Sequence, residues 1–187
     1  MTSRAALVAP EMAADPVERI YRVVAAACAI IAGTVHALVA PQHLAESWSV
    51  GAFFVGACVV QLGLALTLRR PPGPSLLLGA IGFNLGVVAL YVASRTVELP
   101  FLHGHEHPAH EAEHLPVVGG IGDGTPVYPA TNIEPVGVLD LVCLGAELCL
   151  VAMLVGMLNG PDRRVVVNVM LGMGLLALGA RAAGLLA

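Results

Sequence analysis

The sequence predicts an all-α integral membrane protein. It has five transmembrane helices, the N-terminus inside, the C-terminus outside, and one long extracytoplasmic histidine-rich loop between helices 3 and 4. Three observations lead there. Of the 187 residues, 57% are hydrophobic and only 12% charged, with mean hydropathy +0.83, whereas a soluble domain carries about 25% charged residues to cover its surface. The charges cluster between uncharged runs of roughly 20 residues, the length that crosses a hydrocarbon core of roughly 30 Å. The arginines gather at alternate edges of those runs, and that asymmetry orients membrane helices.

Each element follows from the positions of its charges and breakers. Residues 1–22 form a cytoplasmic segment, and 23–187 the five-helix domain. No charge lies between Arg22 and Glu46, so the first span is 23–40. "AAACA" at 25–29 resembles a signal-cleavage site, but cutting there would destroy the span, so the helix is read as retained. The second span, 47–68, is closed by "RRPPGP". The third, 75–94, is ended by Arg95. The fourth, 136–158, is interrupted only by Asp140 and Glu147. The fifth, 165–186, follows "NGPDRR" and carries Arg181 near its end. Proline and glycine stop helices, so the two arginine-bearing strings read as tight turns. Arg4, Arg19, Arg22, Arg69, Arg70, Arg163 and Arg164 fall on one side, against Arg95 and Arg181 near the other. The first side is therefore cytoplasmic. All nine basic residues are Arg in an Ala/Gly/Val/Leu-rich chain, the usage of a GC-rich bacterial genome, which places the protein in a bacterial cytoplasmic membrane. No basic tract is present to bind nucleic acid.

The long connection, 96–135, holds "FLHGHEHPAHEAEHLP", with five of the seven histidines. "HEAEH" has the HExxH spacing in which His110 and His114 would share a helical face with Glu111 as base. A helix confined between Pro108 and Pro116 is hardly two turns and lacks an apolar face, so the protease reading is the weakest. A metal-binding tract fits better: His103, His105, His107, His110 and His114 alternate with Glu106, Glu111 and Glu113, donors suited to Zn(II) or Cu(II). The competing reading is a solvated loop with the adventitious affinity of any histidine tract.

Inside the spans, charged groups cost roughly 2.5–3.5 kcal/mol on insertion scales and so face a bundle interior or water. His36 is read about one turn below the outer surface. His43 follows seven residues later and Glu46 lies in the outer turn. Pro41 disfavours helix at Ala40, so a helix break there would let His43, Glu46 and Asp140 form a second, deeper metal site, with His36 joining or receiving the ion. Gln61, Asn84, Arg95, Asp140 and Glu147 make an outward-opening polar cluster, with Glu147 near the midplane beside Gln61 or Asn84. The competing reading is polar glue between helices: Arg95 paired with Asp140 or Glu98, and a protonated Glu147 bonded to an amide. Cys28, Cys58, Cys143 and Cys149 all lie within spans and read as small apolar fillers. "GFNLG" and "GMLNG" read as close-packing positions only.

The runs "HALVAPQHLAESWSVGAFFVGACVVQLGLAL", "GFNLGVVALYVASRTVELPF" and "EPVGVLDLVCLGAELCLVAML" resemble a group of small multi-pass membrane proteins of high-GC bacteria with no assigned activity. The resemblance covers roughly residues 30–158. It draws attention to His36, His43, Glu46, Gln61, Asn84, Arg95, Pro100, Asp140 and Glu147, and implies that the histidine-rich insert is an elaboration in this chain.

Two functional readings stand. One is a membrane protein presenting a divalent-metal site (Zn or Cu) on the extracytoplasmic side, alone or as an accessory subunit beside other membrane proteins in the bilayer. The other is an enzyme or a proton- or ion-conducting protein using a pocket of Glu147, Asp140, His36 and Arg95. The absence of an inverted repeat argues against an ordinary alternating-access carrier, and no phosphate loop or nucleophile triad is present. The orientation predicts that a single cysteine introduced at Asp123 is labelled by an impermeant maleimide on intact cells, and one at Gly73 is not. The reverse pattern would overturn it.

Overall fold

The computed structural model describes residues 16–96 and 136–183, and five helices account for nearly all of them: α1 (Pro16–Glu46), α2 (Trp48–Thr67), α3 (Pro74–Thr96), α4 (Val138–Gly156) and α5 (Gly160–Ala182). All five are long and apolar enough to cross a membrane. The histidine loop and its five histidines lie outside the described residues, as do the N-terminal fifteen, and of Glu46 and Arg95 only the backbone is described.

Helix α1 exceeds the uncharged stretch 23–40 at both ends. At 31 residues it is about 46 Å long, more than a bilayer core needs. The break expected at Pro41 does not occur, and the helix runs through it to Glu46. Pro41 is exposed, and a span tolerates proline where neighbouring groups re-satisfy the freed carbonyl. The consequence is positional. His36 lies ten residues, about 15 Å, below the helix end rather than one turn below the surface.

Small side chains let α1 sit between two partners. Ala25, Ala29, Ala32, His36 and Ala40 are buried at intervals of three and four, one continuous face of a helix. This stripe packs against α4, whose matching face is Cys143, Glu147, Leu150 and Leu154, while α1 also packs along α2. Helix α3 packs on α4. The ring on Tyr21 lies so close to Gly156 that a Cβ there would stand 3.1 Å from its edge, which sets the approach of α1 and α4 at the arginine-bearing end.

The connections match their chemistry. Only Ser47, extended at φ −150° and ψ 121°, separates α1 from α2. Its amide still bonds the His43 carbonyl at 2.8 Å. Asp140 accepts from the Gly137 amide at 2.8 Å, a side-chain cap at the start of α4. Asn159 caps α5 by accepting from the Asp162 amide at 3.0 Å, so "NGPDRR" is the tight turn its residues predict. Helix α5 packs lightly on the flank of α4 and has no fully buried residue. Leu175 and Leu176 are about 70% exposed, a surface that a bilayer covers and water would not.

The reversal between α1 and α2 rests on one glycine. A Cβ on Gly51 would fall on the Cα and amide nitrogen of Leu44, each 2.5 Å away, and these are backbone atoms that cannot swing aside. Gly56, one turn on, faces open space. Gly51→Val should cost at least about 1–3 kcal/mol of stability in detergent, the range for overpacking, while Gly56→Ala should be near neutral. Thermal unfolding of both variants checks this, and equal midpoints would refute the close crossing.

Candidate functional site

Four helices each deliver polar side chains to one layer of the bundle. His36 comes from α1, Gln61 from α2, Asn84 from α3, and Glu147 with Cys143 from α4. Counting from the helix ends opposite the arginines, these residues lie roughly 8–20 Å down at 1.5 Å per residue. That places the cluster in the upper half of a hydrocarbon core, with its lower members at mid-depth. All five are buried, Gln61 and Asn84 with no exposed surface at all.

One carboxylate oxygen organises the layer. Oε1 of Glu147 lies 3.0 Å from Nε2 of His36 and accepts from Nε2 of Gln61 at 3.1 Å. The same Gln61 nitrogen donates to Oδ1 of Asn84 at 3.1 Å, and Asn84 Nδ2 donates to the Ala80 carbonyl at 2.8 Å. The chain of bonds therefore runs from α1 through α4 and α2 into the backbone of α3. A carboxyl group at this depth is costly unless every face is answered, and here two side-chain nitrogens answer it. Oε1 of Gln61 is the exception: it is sheltered and has no hydrogen-bond partner.

Cys143 joins the group from one turn above Glu147. Its Sγ lies 3.8 Å from His36 Nε2 and 3.9 Å from Glu147 Oε1. Imidazole nitrogen, thiol sulfur and carboxylate oxygen thus form a triangle of metal-ligand atoms, all within 4.8 Å of one another. Gln61 and Asn84 stand behind the carboxylate as an outer shell, the arrangement that orients ligands at metal centres.

The residues singled out in the sequence divide. The structure brings His36, Gln61, Asn84 and Glu147 together. His43 goes elsewhere: its ring stacks on Phe54 of α2 at 4.4 Å and 14°, while the other side of the neighbourhood is His36, 5.6 Å from the same Phe54 ring. Asp140 serves the α4 cap. Helix α1 does not break at Pro41, so His36 and His43 stay seven residues apart on one helix, and the deeper site expected from His43, Glu46 and Asp140 includes a Glu46 side chain outside the described residues. The side chains of Glu46 and Arg95, and the histidines at 103, 105, 107, 110 and 114, lie outside the description. Sequence reading assigned Cys143 to apolar packing. The signal that would have found it is its spacing of four from Glu147, which places both on one face. Phe54 carried no signal, since nothing in its spacing separates it from other apolar residues.

No protein family, curated protein or solved structure gives a match to this chain, so the site's chemistry rests on its own geometry.

Replacing Glu147 with Leu would strand donors on Gln61 and His36, at about 1–3 kcal/mol for each buried group left unpaired. Gln at this position keeps the volume and one acceptor oxygen. Unfolding in detergent should therefore rank wild type above Glu147→Gln, and Glu147→Gln above Glu147→Leu. A Leu variant as stable as wild type would mean the carboxylate does not hold the helices together.

Proposed function

We propose that the protein is an integral membrane metal-binding protein whose principal site is the buried His36–Cys143–Glu147 triangle, taking a divalent transition metal, Zn(II) before Cu(II). The observation that carries this reading is the size and composition of the triangle. A tetrahedral zinc with nitrogen and oxygen at about 2.0–2.1 Å and sulfur at about 2.3 Å sets donor edges of about 3.3 Å for N–O and about 3.5 Å to sulfur. The edges are 3.0, 3.8 and 3.9 Å, so closure on an ion asks for shifts of a few tenths of an ångström. The N/S/O donor set suits zinc and disfavours Mg(II) or Ca(II), which take oxygen ligands. The unpartnered Gln61 Oε1 supplies an acceptor beside the carboxylate for the proton of a fourth, water ligand.

In this reading the loop histidines 103, 105, 107, 110 and 114 concentrate the same ions outside the membrane, and the buried triangle holds one. The chain serves as a metal-holding unit on its own or as an accessory subunit of a membrane complex. The same His36–Glu147 pair, buried at 3.0 Å, favours a second reading as a proton-handling centre, which would not need Cys143.

Elemental analysis and Co(II) substitution test the proposal. Wild type should purify with about one zinc per chain, and its Co(II) form should show tetrahedral d–d bands with a thiolate-to-cobalt charge-transfer band. Cys143→Ser should lose the charge-transfer band, and His36→Ala should lose the ion. A variant with all five loop histidines changed to Ala should retain both. Metal content that follows the loop histidines and ignores Cys143 and His36 would overturn the assignment to the bundle.

A further inference from the structure

At the end of the bundle away from the metal-ligand triangle, α1 and α2 leave a groove of about 350 Å³ between them. Its rim carries three guanidinium groups, Arg19 and Arg22 from α1 and Arg69 from the turn after α2, and its wall is apolar, with Val23, Ala26 and Ile30. We infer that this groove is a binding site for an anionic phospholipid, with the phosphate held by Arg19, Arg22 and Arg69 and one acyl chain laid along α1.

Charge is the first support. Glu18 is the one carboxylate at this end of α1, α2 and the following turn among the described residues, against Arg19, Arg22, Arg69 and the neighbouring Arg70. The rim is therefore short of anions. Arg22 carries the more specific sign. Its side chain is only 12% exposed and its Nε is sheltered without a hydrogen-bond partner. The Glu18 carboxylate stands 3.7 Å away, within ion-pair range but beyond hydrogen-bond reach. A phosphate oxygen at the rim would accept from that donor, and a guanidinium presents the fork that phosphate recognition uses.

The shape selects a lipid over a soluble anion. From Arg19 to Ile30 the α1 wall rises eleven residues, about 16 Å, close to one leaflet of a hydrocarbon core roughly 30 Å thick. Val23, Ala26 and Ile30 recur at three and four residues, so they line one strip of the helix below the arginines. The small Ala26 and Ala27 make room where a chain would lie, and the buried Leu68 of the α2 end closes the far side. A free phosphate would use the rim and leave this strip empty. In a bilayer, the arginine rim sits where headgroups are, and basic residues there attract anionic lipid. This inference is independent of the metal reading, since it shares no residue with it.

The test uses full-length protein in neutral detergent with added dioleoyl phosphatidylglycerol, dioleoyl phosphatidylcholine or soluble glycerol phosphate, read by native mass spectrometry. Wild type should retain phosphatidylglycerol at least about tenfold better than phosphatidylcholine, and the triple variant Arg19→Gln, Arg22→Gln, Arg69→Gln should lose that preference. Excess glycerol phosphate should not displace the lipid. Ala27→Phe leaves every charge in place and fills the strip from an exposed position, so it should also reduce retention, and it gives the answer if the triple variant does not fold. Equal retention of the two lipids by wild type would overturn the proposal. So would undiminished retention of phosphatidylglycerol by Ala27→Phe, or displacement by glycerol phosphate, which would make the site one for a soluble anion.

Discussion

The bundle depends on keeping one carboxylate, Glu147, out of contact with lipid. An acid at mid-depth of a hydrocarbon layer has no water to answer it, and the cost of leaving it unanswered exceeds that of any single packing contact. Its Oε1 is met by His36 at 3.0 Å and Gln61 at 3.1 Å, which recruits α1 and α2. Asn84, bonded to Gln61, brings in α3. Three helices are thus placed around α4 by hydrogen bonds whose directions are specific, while the apolar contacts around them are not. Lipid tails are as apolar as leucine, so packing alone does little to choose neighbours in a membrane.

Close approach makes those bonds reachable. His36 and Glu147 can meet at 3.0 Å because α1 presents alanines above and below the histidine, and α4 answers with Cys143 and Ala146. Leu150 and Leu154 then fill the lower half of the same interface and are fully buried. Polar specificity near mid-depth and apolar filling beneath it divide the interface between two tasks. Helix α5 takes part in neither. None of its residues is fully buried, only Val166 and Met170 pack partly against the core, and its many exposed apolar side chains suit a helix whose partner is lipid.

Two ends of one molecule therefore carry different chemistry. The polar layer gathers imidazole nitrogen, thiol sulfur and carboxylate oxygen within 4.8 Å of one another and away from solvent. The opposite end exposes guanidinium groups over an apolar groove, a setting for amphiphiles. The histidine stack on Phe54 lies on the ligand side, with Phe54 against both His36 and His43. That aromatic ring links the last turns of α1 to the buried cluster along a single wall.

Hydropathy and breakers determined the number of helices, their order and the turns "RRPPGP" and "NGPDRR", because crossing a hydrocarbon layer is a matter of length and charge that a linear string records. The same accounting marked Glu147, Gln61, Asn84 and His36 as residues that must face inward. Three matters were decided only in three dimensions. Helix α1 persists through Pro41, which a local reading of the proline does not foresee, and this moved His36 from near the surface into the layer of Glu147. The recruitment of Cys143 depends on which face of α4 meets α1, and a thiol in an apolar run looks like any small filler until that face is known. The groove between α1 and α2 exists because Arg22 and Arg69, 47 positions apart in the chain, meet at one end of the bundle. Depth in the membrane is written along the chain; the facing of one helix toward another is set by the distances between side chains that only packing brings together.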